Sequence, residues 1–256
     1  VLTARNVGMA AAMNVPWLSV RRKPRIAILA TGDEIVMPGD PVGPNQIVSS
    51  NSLALAAMVE ASGAEPILLG IAPDESNELS AMAAAAHGAD MLVTTGGASV
   101  GDHDLIQSVL RKDGLEIDFW KIAMRPGKPL IFGDIKGTPL LGLPGNPVST
   151  LVCGIIFLIP ALRKMLGQSE LDVTRETATL GVDLGKNDQR EDYLRAQLSR
   201  DDNGVQVATP FSKQDSSMLS RLVQADCLVV RSPHAPALKV GSTVDILPMP
   251  NGLVRI

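Results

Sequence analysis

Three short stretches of this 256-residue chain hold residues whose types and spacing could do chemistry. The first is Leu92–Asp104, LVTTGGASVGDHD. The apolar, β-branched run Met91–Thr95 reads as a buried strand. It ends at Gly96-Gly97, followed by small Ala98 and Ser99, a third glycine at Gly101, and the acids Asp102 and Asp104. Backbone without side chains can approach a ligand closely, and its N–H groups can cradle an anion. Carboxylates just beyond can hold a hard cation such as Mg2+ against that anion. The same residues also suit a tight strand-to-helix turn in which Asp102 caps the helix Leu105–Leu110. This stretch alone leaves both readings open.

The second stretch is Phe119–Pro129, FWKIAMRPGKP. On an extended strand Lys121, Ala123 and Arg125 share one face. Pro126-Gly127 then turns the chain, and Lys128 follows. Three cations around one strand end make an anion clamp, with Arg as a bidentate fork and the lysines as point charges. An edge strand using Lys to block pairing is the other reading; the Gly-Gly loop in the same fold favours the clamp. The third stretch, Leu141–Pro147, is LGLPGNP. Its prolines stiffen a turn through Pro144, Gly145, Asn146 and Pro147, and Asn146 can cap the helix behind it, whose first N–H groups form another anion site. A rigid strand-to-helix connection explains it equally well.

Glu34, Asp74, Asp102 and Asp104 are the acids nearest the predicted strand ends, where paired carboxylates could hold Mg2+ or act as a base. Asp74 and Asp33 have a rival explanation as helix caps; Asp104 is the hardest to explain that way. No Ser/His/Asp triad can be argued, since His87 and His103 lack obvious partners and His234 sits in a Pro-rich loop. The methionines fall on helical spacing and read as core packing.

The elements that must position these groups follow from the hydrophobic pattern. Residues 1–23 hold a short helical pattern, Ala4–Met13, and a basic cluster, Arg21-Arg22-Lys23, that reads as a solvated linker. Strands are predicted at Arg25–Thr31, Pro66–Ala72, Asp90–Thr95, Ile117–Ala123, Pro129–Phe132 and Pro139–Leu143. Helices are predicted at Ser49–Ser62, from Asp74 to Gly88, at Leu105–Lys112, and at Pro147–Leu166 with a break or kink near Pro160. This alternation implies an α/β fold, a mainly parallel sheet with helices on both faces. Ligands in such sheets bind beyond the carboxyl ends of the strands, where Thr31–Glu34, Thr95–Asp104 and Leu143–Asn146 all fall. After Gly167 the segments become short and β-rich, and Asp201–Gly204, DDNG, is a hairpin signal. The expected domains are 24–168 (α/β) and 169–256 (small, antiparallel β), after the 1–23 segment.

Composition narrows the function. A net charge of −4 and pI near 5.4 give no basic field for general nucleic-acid binding. Cys153 and Cys227 lie in apolar runs and read as buried thiols of a reducing compartment, hence a cytoplasmic location. The apolar run Leu151–Leu162 is too short to span a bilayer. The start, VLTARNVGMAAAM, has no basic n-region or initiator Met and reads as an internal start.

TGDE after the first strand, TTGGASVGDHD, FWKIAMRPGKP and LGLPGNPVS, in this order, resemble the molybdopterin molybdenumtransferases of the MoeA type, to which the gephyrin E domain is related. The resemblance runs from Ala4 to Ile256. It implies a three-layer molybdopterin-binding fold with a C-terminal β-barrel-like domain, and insertion of molybdate into adenylylated molybdopterin with Mg2+-assisted release of AMP. By motif, Asp104 and Asp74 would be active-site acids, with Glu34 beside them as metal ligands, while Lys121 and Arg125 would hold molybdate or phosphate. Gly96, Gly97, Ser99, Gly101, Lys128, Gly145 and Asn146 would line the substrate, and Pro144 and Pro147 would shape the pocket wall. REDYLRA resembles the segment that offers Arg195, and QDSSML the loop that offers Ser216. Arg125 departs from a position that is often lysine in the family. A family lid region expected before residue 1 completes the neighbouring site in the family's dimers, so a homodimer is implied, together with contact with the molybdopterin adenylyltransferase. An adenylyltransferase-like enzyme is disfavoured by GGAS in place of GGTG, and a non-catalytic scaffold remains the alternative of another class.

Overall fold

The computed structural model describes residues 1–96 and 105–249. The strands β1 (Arg25–Thr31), β4 (Glu65–Ala72), β5 (Met91–Thr95), β6 (Leu115–Trp120), β8 (Ile131–Ile135) and β9 (Thr138–Leu143) form one sheet in the order β4-β1-β5-β9-β8-β6. β4, β1, β5 and β9 run parallel, while β8 is antiparallel to both of its neighbours. The expected mainly parallel sheet is therefore present.

Alternation along the strands builds the layers. Ile26 and Ile28 of β1 face one side and Ala27 and Leu29 the other. The first face packs on α2 (Asn51–Ala61) and on the helix after β9, through Leu55, Val59, Val152 and Leu162. The second packs on α3 (Ser76–Ala84) and α4 (Leu105–Lys112), through Leu79, Ala83, Ile106 and Leu110. Leu55, Leu79, Leu110 and Leu162 have no exposed surface, and each such side chain contributes about 1.5–3 kcal/mol. The result is the three-layer sandwich.

The long helix is α5 (Pro147–Cys153), a π-turn (Gly154–Leu158) and α6 (Ile159–Met165). Pro160 has no N–H to donate, and the wider turn just before it, where Ile159 N–H reaches Gly154 O, accommodates the proline without ending the helix. The span Pro147–Met165 is long and apolar enough to cross a membrane, longer than the apolar run alone suggested, but half of it is buried in this protein, where it forms the core of one layer.

Strands β10 (Glu176–Leu180), β11 (Glu191–Arg200), β12 (Gln206–Pro210), β13 (Cys227–Arg231) and β14 (Thr243–Pro248) are ordered β12-β10-β14-β13-β11, and pairing of β11 with β12 closes them into a five-stranded barrel. Asp201–Gly204 makes the expected hairpin between β11 and β12, with Asp201 N–H donating to Val205 O at 3.0 Å. Leu180, Ala208, Cys227, Val229 and Ile246 fill the barrel.

Three expectations change. The strand expected at Ile117–Ala123 ends at Trp120, because Lys121 is left-handed at φ 64°. Arg125 instead belongs to a two-residue strand, β7 (Met124–Arg125), which pairs with β11 of the barrel. Lys121, Ala123 and Arg125 therefore do not share one strand face. Asp74 does not open a helix: α3 starts at Ser76, with Glu75 at its N-cap. The basic cluster is not merely solvated, since Arg22 forms a bidentate ion pair with Asp90 at 2.5 and 2.6 Å. α1 (Ala4–Ala12) buries none of its residues.

Candidate active site

β1, β5 and β9 end side by side, and the loops leaving them surround a cleft of about 660 Å3. Thr31, Gly32 and Glu34 come from the end of β1, Asp74 from the end of β4, Thr95 and Gly96 from β5, and Gly145, Asn146 and Pro147 from the turn after β9. Gly96 takes φ 97°, and a Cβ there would lie 2.2 Å from Thr31 O. Only glycine lets the β5 loop pass this close to β1.

The far wall is a hydrogen-bonded assembly. Asn51, at the start of α2, donates its Nδ2 to Thr95 Oγ1 at 3.0 Å and to Gly145 O at 2.7 Å. Thr150 Oγ1 donates to Pro144 O at 2.5 Å. The turn Pro144–Pro147 is thus pinned to both β5 and α2. Asn146 occupies the N-cap of α5, but its side chain does not cap the helix; Nδ2 donates to Ser216 Oγ at 3.1 Å. Val148 N–H donates to Ser216 O at 3.2 Å, so the barrel loop sits on the start of α5, and Ser217 from the same loop lines the cleft.

That loop is held by Arg195, which is 2% exposed. Its N and Nε donate to Gln214 Oε1 at 3.0 and 3.1 Å, and Nη1 donates to Asp215 O at 2.8 Å. Burial lowers its pKa from the usual arginine value. Arg195 therefore does not line the cleft but positions the loop that brings Ser217 to it, while the expected Ser216 is not among the lining residues and bonds Asn146 and Val148 instead.

The opposite side is acidic. Asp33 Oδ1 accepts from Asp74 N–H at 2.9 Å. The Asp74 carboxyl is pushed above the usual carboxylate range, first by partial withdrawal from water and then by the like charges of Asp33 and Glu34. No ion pair satisfies any of the three among the described residues. Oxygen donors with uncompensated negative charge suit a hard divalent cation. Among the described residues, however, no three His, Cys, Asp or Glu side chains close on one metal position.

The predicted cations lie elsewhere. Lys121 Nζ stands 3.7 Å from the centre of the Trp120 ring. Arg125 is committed to the barrel: it pairs with Asp192 and with Asp188 at 3.3 Å, and donates to Asn187 Oδ1 at 3.4 Å. Lys121, Arg125 and Lys128 are not among the residues lining the cleft. Gly97, Ser99, Gly101, Asp102 and Asp104 lie outside the described residues.

The sequence does not single out Asn51 or Thr150, and it offers Thr95 and Ser217 only as members of the Thr95–Asp104 and QDSSML loops. The Ser49-Ser50-Asn51 run opens the predicted helix Ser49–Ser62, where each of the three suits an N-cap. Nor does the sequence mark the short strands β2 (Ile35–Val36) and β3 (Ile47–Val48), which pair to form the cleft's outer wall.

Both parts of the fold are similar to known proteins. Residues 27–164 match the family model described as a probable molybdopterin binding domain, and residues 177–249 match the MoeA C-terminal region (domain IV). A molybdopterin molybdenumtransferase of Nostoc sp. is 35% identical over 97% of this chain and 58% of its own length. One from Haemophilus influenzae is 32% identical over 96% of this chain and 61% of its own. The crystal structure of the molybdopterin biosynthesis MoeA protein from Pyrococcus horikosii superposes with a TM-score of 0.85 at 31% identity, covering 98% of this chain and 61% of that one. The chain thus spans about three fifths of the length of these relatives.

Proposed function

The chain belongs to the MoeA family, its α/β layer being the molybdopterin binding domain and its barrel the MoeA C-terminal region, and from that premise we propose that it serves molybdenum cofactor biosynthesis by binding adenylylated molybdopterin and inserting molybdate with release of AMP. The observation that carries this reading is the cleft at the ends of β1, β5 and β9, acidic on one side and lined by a pinned polar turn on the other.

In this reading the turn Pro144–Pro147, Gly96 and the Ser216–Ser217 loop shape the wall against which the pterin nucleotide lies. Glu34 and Asp74 would hold Mg2+, which fits their uncompensated charge; Asp104, outside the described residues, is the third ligand proposed by motif. When bound, the ion would neutralise phosphate charge developing as the anhydride breaks. Molybdate is a dianion and is a substrate here. The cation proposed by motif to meet it is Lys121, which stands outside the cleft lining and has no carboxylate partner among the described residues. Arg125 serves the contact between β7 and the barrel. The same reading includes a homodimer, contact with the molybdopterin adenylyltransferase that would supply the substrate, and a cytoplasmic location.

AMP release from adenylylated molybdopterin, with and without molybdate and Mg2+, tests the proposal. Release is expected to require both, and Asp74→Ala is expected to slow it at least about tenfold, a loss of ~1.4 kcal/mol of transition-state stabilisation. Release that ignores molybdate, or an Asp74→Ala rate within about threefold of wild type, would overturn it.

A further inference from the structure

Helix α2 has an apolar outer face that the described residues leave open. After Asn51-Ser52 its sequence is apolar at every position but Glu60, the composition of a helix buried on all sides. Leu55 and Val59 take the face on the sheet. Ala54, Ala57 and Met58 instead line a groove of about 660 Å3. Its second wall is the long helix, through Leu151, Ile155 and Ile159. Its third is the barrel part, through Leu222 and Val223 of α7 (Leu219–Val223) and through Met249. Val223 is 79% exposed. Contiguous apolar surface of this kind marks a docking site.

The polar groups in the lining do not call for an ion. Arg163 donates Nη1 to Asp172 O at 2.7 Å and to Leu171 O at 3.3 Å, and the other two are the neutral Ser62 and Gln168. The groove therefore suits an apolar piece of chain. Met249, the last described residue, stands in its lining. β14 alternates up to that point: Val244 and Ile246 fill the barrel, while Leu247 and Met249 turn to the core between barrel and helices. The chain thus leaves the barrel into the groove. Pro250–Ile256, which follow outside the described residues, are PNGLVRI, with Leu253, Val254 and Ile256 apolar. A stretch of that length reaches about 23 Å when extended. Covalent attachment holds it at an effective concentration on the order of millimolar, an advantage that no separate partner has.

We propose that the segment Pro250–Ile256 of this chain docks in the groove, with Leu253 and Val254 against Ala54, Ala57 and Val223, and so ties β14 to α2. The segment then supplies the cover that the outer face of α2 lacks. None of this depends on the chemistry proposed for the cleft at the strand ends.

Disulfide trapping in the full chain tests the docking. The native Cys153 and Cys227 are fully buried, and burial pushes both thiols up to about 12, so they do not compete. Glu60 lies on the same helix as Ala57 but is exposed and outside the lining. Mild oxidation of the double variant Ala57→Cys with Leu253→Cys is expected to close an intramolecular disulfide at least about tenfold faster than Glu60→Cys with Leu253→Cys. Leu253→Asp alone is expected to raise binding of an apolar fluorescent dye at least about twofold, by uncovering the groove. Equal trapping from both helix positions, or none from Ala57→Cys, would overturn the proposal. A disulfide joining two chains would also overturn it, by placing a second copy in the groove, as would dye binding left unchanged by Leu253→Asp.

Discussion

Gly96 and Asp74 set the terms at the scale of single residues. Gly96→Ala places a methyl 2.2 Å from Thr31 O in a backbone conformation that side chains rarely adopt. The expected cost is about 1–3 kcal/mol from strain alone, seen as a lower thermal midpoint. Asp74 works in the other direction. Its folded-state pKa is raised by partial burial and by Asp33 and Glu34, so the native state holds its proton more tightly than the unfolded chain. The stability this contributes is present below the unfolded pKa and is lost as pH rises through the folded one. At neutral pH the charged carboxylate therefore destabilises the fold. Asp74→Asn is expected to melt above wild type at pH 7 and to lose that advantage near about pH 4, as a pair of pH-dependent melting curves would show. Glu34 and Asp74 were legible in the sequence because acids at strand ends stand out. Asn51 was not, because an Asn beside two serines at a helix start has a sufficient explanation as a cap, and only the fold brings Thr95 and Gly145 to its amide.

Among elements, β7 shows where reading by period fails. An extended strand through Lys121 would place Lys121 and Arg125 together, but the left-handed residue at Lys121 breaks the alternation, and Arg125 passes to the barrel. No local pattern marks that change, since the partners of Arg125, Asp188 and Asp192, are more than sixty residues away. The sheet strands were legible because buried parallel strands read as apolar runs, and β1 falls on the expected residues, Arg25–Thr31. Arg125→Ala strips Asp192, whose side chain is 5% exposed, of its main partner. The expected loss is about 2 kcal/mol, below the range of a fully buried pair because the guanidinium is half exposed. Arg125→Lys should lose less, keeping the charge but not the fork. Chemical denaturation of both variants checks the order.

In the molecule as a whole, the α/β layer and the barrel share one core. Met124, Tyr193, Leu222, Leu228, Val230 and Leu247 pack in the same cluster as Val148 and Val152 of α5. Arg195, Gln214 and Ser216 add a polar bridge from the barrel to the turn after β9. The two parts are expected to unfold together, giving one calorimetric transition. Leu228→Ala, at a fully buried barrel position, is expected to cost about 2–5 kcal/mol and to move that whole transition; a second transition appearing at the wild-type temperature would contradict a shared core. The barrel's role in the site was the least legible part of the chain, because short β segments carry no mark of which loop will reach another layer.

The cleft at the ends of β1, β5 and β9 is the proposed place where the pterin nucleotide is held. Equilibrium binding of adenylylated molybdopterin to the wild-type chain, to Asn51→Ala and to Lys136→Gln tests this directly. Lys136 precedes β9 and lies at the opposite end of that strand from the cleft. Wild type and Lys136→Gln are expected to bind alike, and Asn51→Ala at least about tenfold more weakly, since the loss of two bonds frees the turn that forms the wall. Failure of the wild type to bind, or equal binding by Asn51→Ala, would contradict the account.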